Sequence, residues 1–135
     1  MIFKGLKVSL AGMEAQRIRI DLASSNLANV NAKDENGQPY RRKIPIFETV
    51  LEKVKNQTLY SVKVKKIVED NSPFKLKYDP ENPDADKNGY VKLPNVDPLK
   101  EMVDMISAMR TYEANLTAFN THKNLLLSAL EIIKV

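Results

Sequence analysis

Cysteine is absent from the 135 residues. That removes disulfides, thiol catalysis and Cys-based zinc sites together. A chain without thiols also suits an oxidising compartment, where it has nothing to mis-pair. There is one histidine, His122, with no second imidazole and no acid close in sequence, so neither a catalytic triad nor a His-based metal site has its partners. It stands beside an apolar stripe in a long helical stretch and reads as an exposed or interface residue. The four glycines form no phosphate-cradling loop. No apolar run approaches the roughly 20 residues that span a bilayer. At the N-terminus Lys4 and Lys7 interrupt the run of about 7–15 apolar residues that a secretory signal needs. The chain is therefore expected to be cytoplasmic, or exported by a route that leaves no cleaved signal. No catalytic residue, metal ligand or cofactor site can be assigned, and an enzymatic reading has no residue to rest on.

What is present is enough for one ordinary domain: 15.3 kDa with a mean hydropathy of −0.37 and 43% hydrophobic residues. The net charge of +4 is unevenly spread. Arg41, Arg42, Lys43, Lys53, Lys55, Lys63, Lys65 and Lys66 face only Glu48 and Glu52 over 41–66. The next stretch, Glu69 through Asp86, is acidic. A basic middle can bind nucleic acid; it can equally be a solvated face or meet an acidic neighbour, and alternation with β-branched residues favours the latter two. Asp84, Asp86, Asn88 and Gly89 imitate the first half of a calcium loop. Lys92 and Asn95 stand at its ninth and twelfth positions, where a bidentate Glu should close it, so an Asx-rich turn is expected instead.

The chain divides into three. Residues 1–31 form an N-terminal helix, 32–96 a β-containing middle, and 97–135 a long C-terminal helix, so the fold class is mainly α with a small β middle between two coiled-coil-like helices. Residues 4–31 lack proline, and Leu6, Met13, Ile20 and Leu27 recur every seven residues. Ile2, Ala23 and Val30 take the intervening positions, with Ser9 and Gln16 as polar breaks. That is a heptad seam. The middle holds six of the seven prolines and the turn signals Asn36-Gly37 and Asn88-Gly89. Leu59–Val68, Phe74–Tyr78 and Tyr90–Leu93 alternate as half-buried strands, giving a short hairpin or small sheet, with a helical turn expected around Thr49–Lys55. Asp97-Pro98 supplies an N-cap and a proline at the first helical position. From there Met102, Met105, Met109, Tyr112, Leu116, Phe119, Leu126, Leu130 and Ile133 form one stripe, broken by Lys123. Two long helices with narrow stripes cannot finish a core on so small a middle. Composition and periodicity stop at a helical scaffold or assembly subunit. A nucleic-acid module on the basic middle and a soluble helical adaptor or export chaperone are the rivals.

Further residues carry a resemblance. Ser9–Ala15, Arg17 and Ser24-Ser25-Asn26-Leu27-Ala28-Asn29-Val30-Asn31 resemble the N-terminal signature of the flagellar rod and hook axial protein family. Asn36–Lys43, Phe47-Glu48, Tyr78–Asp86 and Asn88–Val96 are similar to its proximal-rod members, as are Glu101–Ile106, Arg110–Asn115 and Asn120. The loop Ala32–Tyr40 is longer than in many members. The resemblance implies a structural subunit of the proximal rod, with helical termini packed near the tube axis and the middle facing outward. Such subunits polymerise helically through unlike surfaces and transmit torque across the periplasm. The partners implied are other copies, other rod proteins, membrane-ring and rod-adaptor proteins at the base, and the flagellar export apparatus, with no nucleic acid and no small-molecule substrate. The localisation implied is the basal-body rod after synthesis in the cytoplasm. Both helical stripes, together with Asn26, Asn29 and Val30, then become expected interface residues, although an asparagine cluster at a helix end also serves as a C-cap.

Overall fold

The computed structural model describes residues 2–134, with the side chain of Ile2 outside the described residues. Helix α1 runs Ile2–Ala28 and helix α2 Pro98–Ile133, and they pack antiparallel. Asp97 caps α2 as its sequence suggests: its carboxylate accepts from the Leu99 N–H at 3.1 Å, with Pro98 at the first position. Helix α1 ends three residues before the expected Asn31. The side chain of Asn29 donates to the Ser25 carbonyl at 2.8 Å and closes the last turn. That closure uses no left-handed residue, since Lys55 and Asn56 are the non-glycine positions with positive φ among the described residues.

The middle is the small β region expected, made of two antiparallel ladders. Strand β1, Lys43–Val54, pairs antiparallel with β2, Gln57–Glu69. The helical turn expected around Thr49–Lys55 is replaced by extended chain. Phe47 to Lys53 alternates exposed and half-buried, which is a strand's period of two, and every residue of β1 has a partner in β2. The connection is a two-residue turn with φ of 45° at Lys55 and 62° at Asn56, the left-handed pair that matches strand twist. Pro45 is tolerated because both strands of a two-stranded ladder are edges. The register shifts between Ile46 and Phe47 and leaves Lys65 as an unpaired bulge residue. A second ladder pairs β3, Lys75–Tyr78, with β4, Tyr90–Leu93. There the Asp86 carboxylate accepts from the N–H groups of Asn88 (2.8 Å) and Tyr90 (2.9 Å), the Asx turn expected of this segment. Gly89 sits at φ +84°, a conformation L side chains rarely adopt, and a Cβ there would meet the Tyr78 ring at 2.9 Å.

The layers stack in the order hairpin, α1, α2. Helix α1 packs against both flanking layers, whereas the backbone of α2 stays clear of β1 and β2 among the described residues. The hairpin lies along α1: Asn26 bonds Lys43 at one end, and Lys7 and Lys4 meet Glu52 and Gln57 at the other. The buried apolar set is Met13, Ala15, Ala23, Leu59, Val91, Val96 and Ala108, mostly small side chains spread along the molecule. The chain exposes 9706 Å², where a compact monomer of this mass exposes about 7,100 Å². The surplus of about 2,500 Å² exceeds the roughly 1,600 Å² that a standard protein–protein interface removes in total.

Candidate assembly interface

The seam between the helices starts with small and polar residues. A Cβ placed on Gly5 would fall 2.4 Å from the His122 ring, and one on Gly12 would fall 2.7 Å from the Asn115 amide. Asn26 bonds Glu101, and Arg19 pairs with Asp104 at 3.8 Å, one turn before the fully buried Ala108. Every seven residues back along α1 is matched by seven forward along α2, so the register is antiparallel and heptad-spaced. Close approach of the backbones at Gly5 and Gly12 limits the space opposite, which His122 and Asn115 fill; seven residues before Asn115, Ala108 is fully buried. The inward row of α2 is therefore Glu101, Ala108, Asn115 and His122, flanked by the half-buried Met105, Tyr112, Phe119 and Leu126.

This divides the single stripe expected for α2. Met105, Tyr112, Phe119 and Leu126 turn toward α1. Met102, Met109, Leu116, Leu130 and Ile133 lie outward, at 50%, 46%, 41%, 48% and 78% exposure. His122, expected beside the seam, is in it. On α1, Met13 is buried, while Leu6, Ile20 and Leu27, and Asn29 and Val30 in the turn that follows, are half-buried. Outside the expected stripe, Leu99, Val103, Ile106 and Leu127 are exposed as well.

One end of the helix pair is fixed by a polar junction. Asn26, 1% exposed, uses its whole amide. Its Nδ2 donates to the Lys43 carbonyl (2.9 Å) and Glu101 (3.3 Å), and its Oδ1 accepts from the Tyr40 hydroxyl and the Lys43 N–H, both at 2.9 Å. Arg42 reaches three carboxylates: Glu101 through Nε, Asp70 at 3.2 Å and Asp104 at 3.3 Å. Its backbone N–H donates to Asn95 at 2.8 Å, and Asn95 donates in turn to the Asp70 and Ser72 carbonyls. Burial opposes the guanidinium charge, but Glu101 and Asp70 outweigh it and hold the Arg42 pKa above its ordinary value. Ser72 donates to Asp70 from hydroxyl (2.5 Å) and backbone (2.8 Å), and these bonds, with Arg42, hold the Asp70 carboxyl below its ordinary value. The junction leaves no buried side-chain polar atom unpartnered among the described residues. Of its members only Asn26 is an interface residue expected from the sequence; the Arg42 cluster assembles from four segments and leaves no spacing signal.

A stiff pair of helices, pinned at one end and carrying apolar rows that the fold leaves in solvent, defines a subunit of a larger assembly. Residues 6–32, α1 and its closing turn, match the family described as "Flagella basal body rod protein", and residues 87–132 match "Flagellar basal body rod FlgEFG protein C-terminal". Flagellar basal-body rod protein FlgC of Bacillus subtilis (strain 168) is 49% identical over 147 aligned residues, covering 98% of each chain. FlgC of Aquifex aeolicus (strain VF5) is 49% identical over 133 residues, again 98% of each. That of Salmonella typhimurium (strain LT2) is 43% identical over 123 residues, 90% of each. The chain belongs to the flagellar basal-body rod protein family and is a structural subunit of the rod, of the FlgC type. Its place is the flagellar basal body, in assembly with other flagellar proteins. Among the described residues no helix is long and apolar enough to cross a membrane.

Proposed function

We propose that the subunit polymerises helically with copies of itself and other rod proteins through its terminal helices, and that the resulting rod carries torque across the periplasm. The observation that carries this reading is the outward row Met102, Met109, Leu116 and Leu130, set on a chain with so large a surplus of exposed surface. Burying that row adds apolar contact without disturbing the α1–α2 seam. Leu6, Ile20 and Leu27 of α1, with Asn29 and Val30 of its closing turn, add to the contact surface, while Met13 and Asn26 act indirectly, by fixing the shape that is presented. Stiffness follows from close-packed seams, since protein interiors are dense and poorly compressible. The helix ends meet membrane-ring and rod-adaptor proteins at the base. Export of the newly made subunit by the flagellar apparatus belongs to the same reading. Neither nucleic acid nor a small-molecule substrate enters this role.

Two substitutions on one helix test it. Leu116→Asp is expected to leave the monomer's stability within about 0.5 kcal/mol, yet to abolish swimming and remove the subunit from purified basal bodies. Phe119→Asp places its charge against α1 and is expected to destabilise the monomer itself by several kcal/mol. Normal swimming with rods of normal composition in the Leu116→Asp strain would overturn the assignment.

A further inference from the structure

The β1–β2 hairpin has two faces, and α1 covers one of them. Partners directly opposite in an antiparallel ladder share a face, so Phe47/Val64, Thr49/Val62 and Leu51/Tyr60 stand on one side. Val50/Ser61 and Glu52/Leu59 stand on the other. The second set is the covered one: Leu59 is buried, and Glu52 pairs with Lys7 of α1. The first set points away from α1, with Leu51 60%, Tyr60 64% and Phe47 40% exposed. On the opposite side of the molecule, the first three turns of α2 also present an apolar outer face: Leu99, Met102, Val103, Ile106 and Met109.

We propose that these two faces are the two halves of one contact, in which the outer hairpin face of one copy lies on the outer face of α2 of a second copy. This rests on the polymer reading above and names one of its contacts. The layer order supports it. Hairpin, α1 and α2 stack in that sequence, so the two unpartnered apolar faces are unlike surfaces at opposite ends of the stack. Joining them repeats the stack without closing it. The sizes agree: Leu99 to Met109 spans about 15 Å of helix, and Phe47 to Leu51 about 13 Å of strand. The surplus exposed surface exceeds what one standard interface needs.

The contact has a definite stagger. Asn26 bonds both Lys43 and Glu101, so β1 and α2 leave the junction at the same level. Thr49, at the centre of the hairpin face, lies about 20 Å along from that level. The centre of the α2 face, near Asp104, lies about 5 Å along. Matching the centres shifts neighbouring copies by about 15 Å along the helix axis. With that shift Lys53, the next outward residue after Leu51, comes level with Glu113 on the outer side of the neighbour's α2. Both side chains are exposed, and their charges are opposite.

The chain has no native thiol, so introduced cysteines report alone. A variant carrying both Thr49→Cys and Ile106→Cys, at exposed positions, is expressed in place of the native chain, and basal bodies are treated with a short bis-maleimide. The expected product is a ladder of covalently joined copies, which either single variant fails to give. A variant that enters basal bodies and yields no self-ladder overturns the contact and leaves the rod reading standing. Dimers from a single variant, or adducts only with a different rod protein, do the same. Absence of the folded variant from basal bodies overturns both. As a second measurement, Lys53→Glu and Glu113→Lys should each reduce swimming, and their combination should restore it. A double variant as impaired as the worse single would overturn the stagger.

Discussion

The two ends of the helix pair are held by different physics. At the junction end, Asn26, Arg42, Glu101, Asp70 and Asp104 tie both helices to the base of the hairpin through a polar network in which Asn26 and Glu101 are buried and satisfied. At the far end the hairpin is tied down by Lys4–Gln57 and Lys7–Glu52 on the surface. There Gly5 faces His122, and α2 runs on with Leu127, Leu130, Ile132 and Ile133 exposed. Buried polar networks are directional and fix one geometry, whereas exposed ion pairs contribute about 0–1 kcal/mol. The contrast suits a subunit that must present a fixed angle between helices and hairpin, while its free apolar end is finished by a neighbour.

The sharpest way to break that contrast is at Arg42. Arg42→Met leaves Glu101, 1% exposed, and Asp70 without their cation, and Asp104 with Arg19 alone. Removing one partner of a buried ion pair costs about 3–5 kcal/mol, and urea unfolding of the purified chain should show a loss of that size. Lys7→Ala at the far end should cost about 1 kcal/mol or less in the same assay. Equal losses would mean that the junction holds no more than the surface pairs do. A smaller effect is expected in the seam. Gly12→Ala gains about 1 kcal/mol of helix propensity but drives a methyl into Asn115, and overpacking costs about 1–3 kcal/mol. The single variant should be destabilised, and Gly12→Ala with Asn115→Ala should exceed the native chain in stability. A stabilised single variant would show that Asn115 swings away freely and that the seam is looser than its geometry implies.

What the sequence made legible follows the same division. Apolar spacing located both helices, the Asp97 cap and the flanking row Met105, Tyr112, Phe119 and Leu126. It placed Met102, Met109 and Leu116 in that same stripe, although the fold leaves them outside. The true inward row is Glu, Ala, Asn and His, with Asn115 and His122 set against Gly12 and Gly5, and so mostly polar a row is invisible to a hydrophobic pattern. Strand β1 was missed because Glu48, Leu51 and Glu52 suit a helix as well as a strand, and because its turn uses Lys55-Asn56 without a glycine. The junction was illegible for a different reason. Arg42, Asp70, Asn95 and Glu101 meet only after the hairpin has folded back, and nothing in their spacing along the chain announces it.

The smallest expected effect sharpens the comparison from within the junction. Asp70 differs from Glu101 in being held largely by local bonds, first from the Ser72 hydroxyl and backbone and then from Arg42. Its carboxyl is held below its ordinary value in the folded chain, so its contribution to stability is present above the unfolded pKa, about 3.9, and is lost as pH falls through the folded one. Ser72→Ala removes the hydroxyl donor and keeps the backbone bond. Above about pH 5 the variant should be less stable than the native chain by about 1 kcal/mol, the net value of one hydrogen bond. As pH falls below the unfolded value and through the lower folded one, the two unfolding curves should approach each other, because a protonated Asp70 no longer benefits from the bond. If the Ser72→Ala deficit persisted unchanged to the lowest pH at which the chain still folds, Ser72 would be acting by packing and not through the Asp70 charge.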